Sequence, residues 1–329
     1  MINGIINVYK ERGFTSHDVV AKLRGILHQK KIGHTGTLDP EATGVLPVCL
    51  GNATRLCDML TDTDKVYRAR MLLGLTTDTQ DTSGKILSDL AAVPEQERVE
   101  AAIHSFVGAY DQIPPMYSAL KIGGKKLYEL AREGREVQRQ PRRVNISYIN
   151  IEEIETIGEI PAVDPASAGG GFGILFKEEP ENFPKMAVTM SVECSKGTYI
   201  RTLCNDIGEK LGVGGCMSAL ERTRVGIFKA GEAKTLGQIA RAVDDGNFES
   251  MVIPVDAMFK DFPKIAVNAQ GDRLLHNGNL LGSACVIMSM PTEPEDGLKV
   301  RVYDASGTFT GIYAYCKKSR QFKVVKMFL

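Results

Sequence analysis

Apolar positions along the 329-residue chain switch between two periods, and each switch predicts a change of element. In VYRARMLLGL, residues 66–75, Tyr67, Ala69, Met71 and Leu73 fall on one side and Arg68 and Arg70 on the other, the alternation of a strand. Residues 3–8 predict a shorter strand, closed by the turn ERGFTS. Val19, Val20, Leu23, Ile26 and Leu27 then repeat at helical spacing, with Ser16 placed to cap them. A second helical pattern covers 95–107 and stops near Gly108. Strand character returns at 144–157 and 187–194. Next, in SKGTYIRTLCNDIGEKL, the spacing of Ile200, Leu203, Cys204, Ile207 and Leu211 predicts a helix with Arg201 in its first turns. Strand-loop-helix junctions of this kind commonly carry binding groups.

The pattern breaks down in two places. From Gln112 to about Arg143, Pro-Pro and Gly-Gly pairs predict an irregular excursion, 112–143, with the short helix LYELAREG inside it. Residues 158–185 turn acidic, Gly-rich and Pro-rich, as a flexible surface insertion would. After a helical stretch near 236–251, VIPVDAMF marks a boundary between a domain at 1–255 and a second at 256–329. The second is read as a small β-rich module from KIAVN, ACVIMSM, KVRVYDASGTFTGIYAYCKK and FKVVKMF.

Composition narrows the function classes. MINGIINVYKERG lacks the layout of a leader peptide, and no run reaches the roughly 18 apolar residues of a membrane span, so a cytoplasmic protein with no membrane partner is expected. The 7 cysteines are widely spaced without a CxxC, which argues against a disulfide framework or a zinc site and suits a reducing compartment. Net charge is 0, so bulk charge names no partner, but its distribution does. Residues 121–143 carry a balance of +5 and residues 301–329 another +5, against −6 over 147–185. Either basic segment alone reads as a solvated face; together, with tyrosines interleaved, they could follow a phosphate backbone.

One stretch poses a chemical question. GHTGTLDPEATG, residues 33–44, sets Asp39 among glycines and threonines. Asp39-Pro40-Glu41 is a good helix start, with Asp39 as cap. A P-loop is excluded, because no lysine follows Gly36 or Gly44.

Taken with VYRARMLLGLTTDTQDTSG, QIPPMYSALKIGGKKLYELAREG and CSKGTYIRTLCNDIG, in that order, GHTGTLDPEATGVLPVCLGNATRL resembles the TruB family of tRNA pseudouridine synthases over nearly the whole chain. Two departures stand out. The family's Lys-Pro-x-Gly is Lys10-Glu11-Arg12-Gly13 here, and 158–185 looks longer than the family connection.

The resemblance implies an α+β fold, with a mixed, mainly antiparallel sheet flanked by helices and loops and a PUA-like RNA-binding module at the C-terminus. It implies isomerisation of the uridine at position 55, in the TΨC loop of tRNA, by base flipping, with no cofactor and no metal. Asp39 would be the covalent nucleophile, attacking ribose C1′ or uracil C6. Arg201 would hold it ionised through a bidentate pair, and Tyr67 would stack on the uracil or remove its C5 proton. His34 would fill the gap left by the flipped base, and Leu220 would pack around that base. Lys10, Lys196 and Tyr199 would adjoin the site and contact the RNA, and Lys125, Lys126, Arg142 and Arg143 would close the excursion over the T arm. The C-terminal module would reach the acceptor stem. A stand-alone monomer with no obligatory protein partner is expected, rather than a guide-RNA-dependent particle. The competing expectation is a non-catalytic RNA-binding or chaperone protein on the same fold. A retaining glycosidase would need a second acid, and only Glu41 lies near in sequence.

Overall fold

A computed structural model describes residues 1–159, 176–287 and 294–329. Its larger sheet contains β1 (Gly4–Lys10), β2 (Ile32–His34), β3 (Thr43–Leu50) and β4 (Lys65–Leu73). A side hairpin follows, β5 (Leu75–Thr77) and β6 (Ile86–Asp89). The sheet resumes with β7 (Gly108–Gln112) and, after a small hairpin of β8 (Lys121–Ile122) and β9 (Lys125–Lys126), with β10 (Arg142–Ile157), β11 (Lys185–Cys194), β12 (Gly215–Val225) and β13 (Phe228–Lys229). Strand order is β1-β3-β12-β4-β11-β10-β7, with β2 on β3 and β13 on β12. The β3–β12 pair is parallel, and the other pairs of this sheet are antiparallel.

Two pairs of helices cover the sheet. Helices α3 (Gln96–His104) and α5 (Ile200–Leu211) pack on the face made by Tyr67, Ala69, Met71 and Leu73, the alternation read from the sequence. On the opposite side of β4, between buried Val66 and Leu72, Arg68 and Arg70 pair with Glu152 and Glu155 at 2.6 and 2.5 Å. Helices α1 (Ser16–Ile26) and α6 (Leu236–Asp244) cover β1 and β3 through Val19, Val20, Leu23, Leu236 and Ile239. Each such large side chain taken fully from water contributes about 1.5–3 kcal/mol. Strand β3 is buried on both faces, since Leu46, Val48 and Leu50 meet α1 and α6 while Val45 and Cys49 meet another cluster. Its near-continuous apolar run, TGVLPVCL, follows from that.

Local signals were off in places. Thr15, not Ser16, caps α1, in a capping box with Asp18. Ser16 is buried, and its hydroxyl accepts from Leu38 N at 3.0 Å. No helix starts at Asp39: Pro40 and Glu41 form a turn that leads straight into β3. The expected helical stretch near 236–251 is α6 followed by a short 3-10 turn, Phe248–Met251.

The second sheet joins β14 (Lys264–Val267), β15 (Leu281–Gly282), β16 (Val286–Ile287), β17 (Lys299–Tyr303), β18 (Phe309–Cys316) and β19 (Gln321–Met327) in the order β15-β19-β18-β17-β14-β16. It also carries α7 (Ala269–His276), which the strand pattern did not announce. Residues 288–290 of ACVIMSM lie outside the described residues, as does the centre of the 158–185 insertion, 160–175. On the described flank of that insertion, Lys177 N donates to Thr82 O at 3.0 Å, and Glu178 accepts from Ile86 N at 2.8 Å. VIPVDAMF is not a loose tether. Val255 and Phe259 are buried in one cluster with Ile5, Val45 and Phe228 of the large sheet and Ile312 and Phe328 of the small one.

Candidate active site

The Asp39 loop runs from β2 to β3 and is held mostly by backbone acceptors. Gly13 N donates to Pro40 O at 3.0 Å, Thr35 N to Pro47 O at 3.1 Å and Ala42 N to Asp39 O at 3.1 Å. Two buried cations complete the grip. Lys10, 0% exposed, gives its ammonium to the carbonyls of Phe14, Glu11 and Pro40 at 2.7, 3.1 and 3.1 Å. Arg222, 1% exposed, donates Nε to Val45 O at 2.8 Å, and its terminal nitrogens reach Thr37 O and Gly36 O at 3.5 and 3.4 Å.

Glycine is required where β12 crosses this loop. Gly44 has φ +106, and a Cβ there would lie 2.3 Å from Arg222 O. That close approach sets Arg222 beside Gly44 on one side and beside Tyr67 on the other, in register across β3, β12 and β4.

Held this way, the Asp39 side chain remains 45% exposed, and its Oδ2 meets Arg201 Nε at 3.1 Å. The bidentate fork expected for this pair is split instead. Arg201 Nη1 donates to Thr79 O at 3.1 Å and faces Asp81 Oδ2 at 3.5 Å, while Nη2 donates to Tyr117 O at 2.9 Å. Asp81 sits on the β5–β6 connection, where its Oδ1 accepts from Thr79 Oγ1 at 2.8 Å and Ser83 N at 3.0 Å. One arginine thus lies between two carboxylates on separate loops.

The two carboxylates, Asp39 and Asp81, border a cavity of about 310 Å³, lined also by Arg12, Lys177, Ser218 and Leu220 among others. Tyr67 lies in the core cluster with Leu38, and Leu220 packs against it. Burial pushes the Tyr67 phenol above its usual range, against the pull of the Arg222 guanidinium. It therefore rests as a neutral phenol.

The expected residues are placed unequally. Asp39 meets Arg201 and shares the cavity with Leu220, Tyr67 is buried in the core cluster and does not line the cavity, and Tyr199 is the N-cap residue of α5, two positions before Arg201. Lys10 corrects an expectation: an ammonium with three carbonyl partners inside the protein is a brace for the loop, not a contact for RNA. Burial pulls its pKa down to about 8, against the nearby Asp39 and Glu41 carboxylates. Lys196 pairs with Asp62 at 2.7 Å and does not line the cavity. His34 is half-buried, with its ring edge-on to His17 at 5.6 Å and its Nδ1 buried with no hydrogen-bond partner among the described residues. Lys125 pairs with Glu133 and Arg143 with Asp111, while Lys126 bonds Tyr128 and Arg142 stands exposed. Sequence reasoning missed Asp81, Arg222 and Arg12. The Asp and Thr clustering in TTDTQDTSG signals a turn, but nothing in it signals an arginine 120 residues downstream.

Among the described residues no helix is long and apolar enough to cross a membrane. One trio there, Asp272, His276 and Asp304, brings ligand-type atoms within 4.8 Å of one another in the C-terminal module. Asp304 in that trio already accepts from Ser306 N and Thr308 N at 2.9 and 2.8 Å.

Comparison with known proteins identifies the family. The family model for the N-terminal domain of TruB family pseudouridylate synthases matches residues 24–162, and that for the tRNA pseudouridylate synthase B C-terminal domain matches 201–260. A tRNA pseudouridine synthase B of Lachnoclostridium phytofermentans is 49% identical over 328 residues, covering 100% of both chains. Its namesake from Bacillus pumilus is 40% identical over 320 residues, covering 95% of this chain and 93% of the relative. Among solved structures, a chain of an H/ACA RNP bound to a substrate RNA containing 2′-deoxyuridine is similar with a TM-score of 0.65 at 25% identity, covering 99% of this chain and 85% of that one.

Proposed function

The chain belongs to the TruB family of pseudouridylate synthases, which isomerise uridine to pseudouridine in tRNA, and we propose that its target is the TΨC-loop uridine at position 55, reached by base flipping and attacked by Asp39. The observation that carries this reading is the Asp39–Arg201 contact of 3.1 Å at the border of the cavity. A half-exposed carboxylate held by a buried guanidinium is ionised, oriented and open to an incoming base.

Isomerisation breaks the C1′–N1 bond, rotates the uracil and joins C1′ to C5. The C5 proton leaves, N1 gains one, and no electrons are exchanged with a cofactor. Attack by Asp39 on C1′ or on C6 gives the same product. Tyr67, a neutral phenol, suits stacking on the uracil better than proton removal. His34 fills the gap in the loop with a ring that burial and His17 keep uncharged, since both lower its pKa. The excursion at 112–143 closes on the T arm through Lys125, Lys126, Arg142 and Arg143. The basic C-terminal module meets the acceptor stem. The enzyme works as a monomer in the cytoplasm.

The test uses a tRNA transcript tritiated at uracil C5. Wild-type protein should release one equivalent of tritium per tRNA, and none when position 55 is cytidine. Asp39→Asn should bind the tRNA and release nothing. Binding without release by the wild type would leave an RNA-binding protein; release by the Asn variant would remove Asp39 from the chemistry.

A further inference from the structure

Gln112 stands at the neck of the excursion. It is the last residue of β7 and pairs with Arg142 at the start of β10, so residues 113–141 leave the sheet and return through this one pair. Its side chain is 1% exposed and faces inward. There it clamps a single residue at two points: Oε1 accepts from Tyr199 N at 2.8 Å, and Nε2 donates to Tyr199 O at 3.0 Å. Nε2 also donates to the Tyr110 hydroxyl.

Tyr199 is the N-cap residue of α5 and supplies no side-chain cap of its own. Arg201 follows two positions later. The start of this helix is therefore set from outside, by the neck of the excursion. Arg201 makes the second link, since its Nη2 donates to Tyr117 O at 2.9 Å, inside the excursion. The guanidinium that holds Asp39 is thus tied to the excursion at the base of its helix and at its tip. In a preorganised site a shift of about 1 Å can cost about a hundredfold in rate.

We propose that Gln112 is a positioning residue, whose clamp on Tyr199 couples the placement of the excursion to Arg201 and so aims Asp39. The inference rests on the Asp39–Arg201 reading above. It predicts that RNA seated under the excursion and a correctly aimed carboxylate come together, because one buried amide serves both.

Gln112→Met nearly preserves the shape and removes the clamp. With tritiated tRNA it should lower kcat about 10- to 100-fold while KM stays within about threefold. A residue needed only for folding would lower the active fraction, which active-site titration and circular dichroism would reveal, and leave kcat per folded molecule unchanged. In an Arg201→Lys background the same substitution should add less than about twofold, because the clamp acts through the guanidinium. If Gln112→Met does not fold, Gln112→Glu, which keeps the acceptor for Tyr199 N, is judged by the same criteria. An unchanged kcat, or an equal loss in both backgrounds, overturns the proposal. Failure of the Asp39 reading has a separate signature: turnover that survives Asp39→Asn.

Discussion

The protein carries two sets of cations, and burial separates their work. Lys10, Arg201 and Arg222 are 0%, 5% and 1% exposed. Their N–H groups serve the carbonyls of Pro40, Tyr117 and Val45 and the carboxylates of Asp39 and Asp81. Lys125, Arg135, Arg142, Arg143 and Lys196 stand exposed, and their ion pairs with Glu133, Asp111 and Asp62 lie in water, where such pairs are worth little. An inner cation cannot fall back on solvent, so it shapes the loop around it. An outer cation gives up almost nothing when it exchanges a carboxylate for a phosphate.

The strongest way to break this division is at Arg201. Arg201→Ala leaves Asp39 and Asp81 facing each other without the cation between them, and kcat for tritium release should fall by about a thousandfold or more. Affinity for tRNA should change only a few-fold, and a loss confined to KM would place Arg201 with the outer set. Next comes Arg222→Leu, which strands buried carbonyls at Val45, Thr37 and Gly36. A stability loss of about 2–4 kcal/mol is expected, read from urea midpoints at constant m. A variant as stable as the wild type would show that the loop needs no brace.

On the outer side, Lys125→Ala combined with Lys126→Ala should weaken tRNA binding and flatten the slope of log Kd against log salt by about 1 to 2, with kcat unchanged. The smallest effect sharpens the comparison from the acid side. Asp206, on the same helix as Arg201, makes no ion pair among the described residues, and burial pushes its carboxyl up to about 6. Because the folded form holds this proton more tightly than the unfolded chain, stability drops as pH rises from the ordinary 3.8 to about 6 and does not return above it. Asp206→Asn should therefore gain about 1–2 kcal/mol at pH 7 and nothing near pH 4, by thermal melts at both values.

Much of the fold was legible because its signals are local. The alternation in VYRARMLLGL became β4, with the same residues facing the core. The spacing from Ile200 to Leu211 became α5, closed by Gly212 at φ 77. Asp39, Tyr67 and Arg201 were singled out through ordered motifs, and the structure sets Asp39 against Arg201 at 3.1 Å. Ser16 and Thr15 are both plausible caps, and only the reach of Ser16 to Leu38 separates them. Lys10 was misread for a related reason. A lysine between a strand and a Gly turn looks like a surface cation until β1 pairs with β3 and sets Lys10 opposite Gly44, under the loop.

The sequence by itself determined the main strands and helices with strong periodicity, such as β4 and α5, and that one acid sits in a loop of small residues. Those properties depend on neighbours a few positions apart, where periodicity and backbone preference act. Tertiary structure alone decided that Arg201 stands between Asp39 and Asp81, that Arg222 lies beneath Gly36 and Gly44, and that Gln112 grips Tyr199. These partners lie tens to nearly two hundred residues apart along the chain. What pairs them is desolvation: a charge or amide shut away from water must find a partner inside the fold, and the packing of sheet and helices decides which one is within reach.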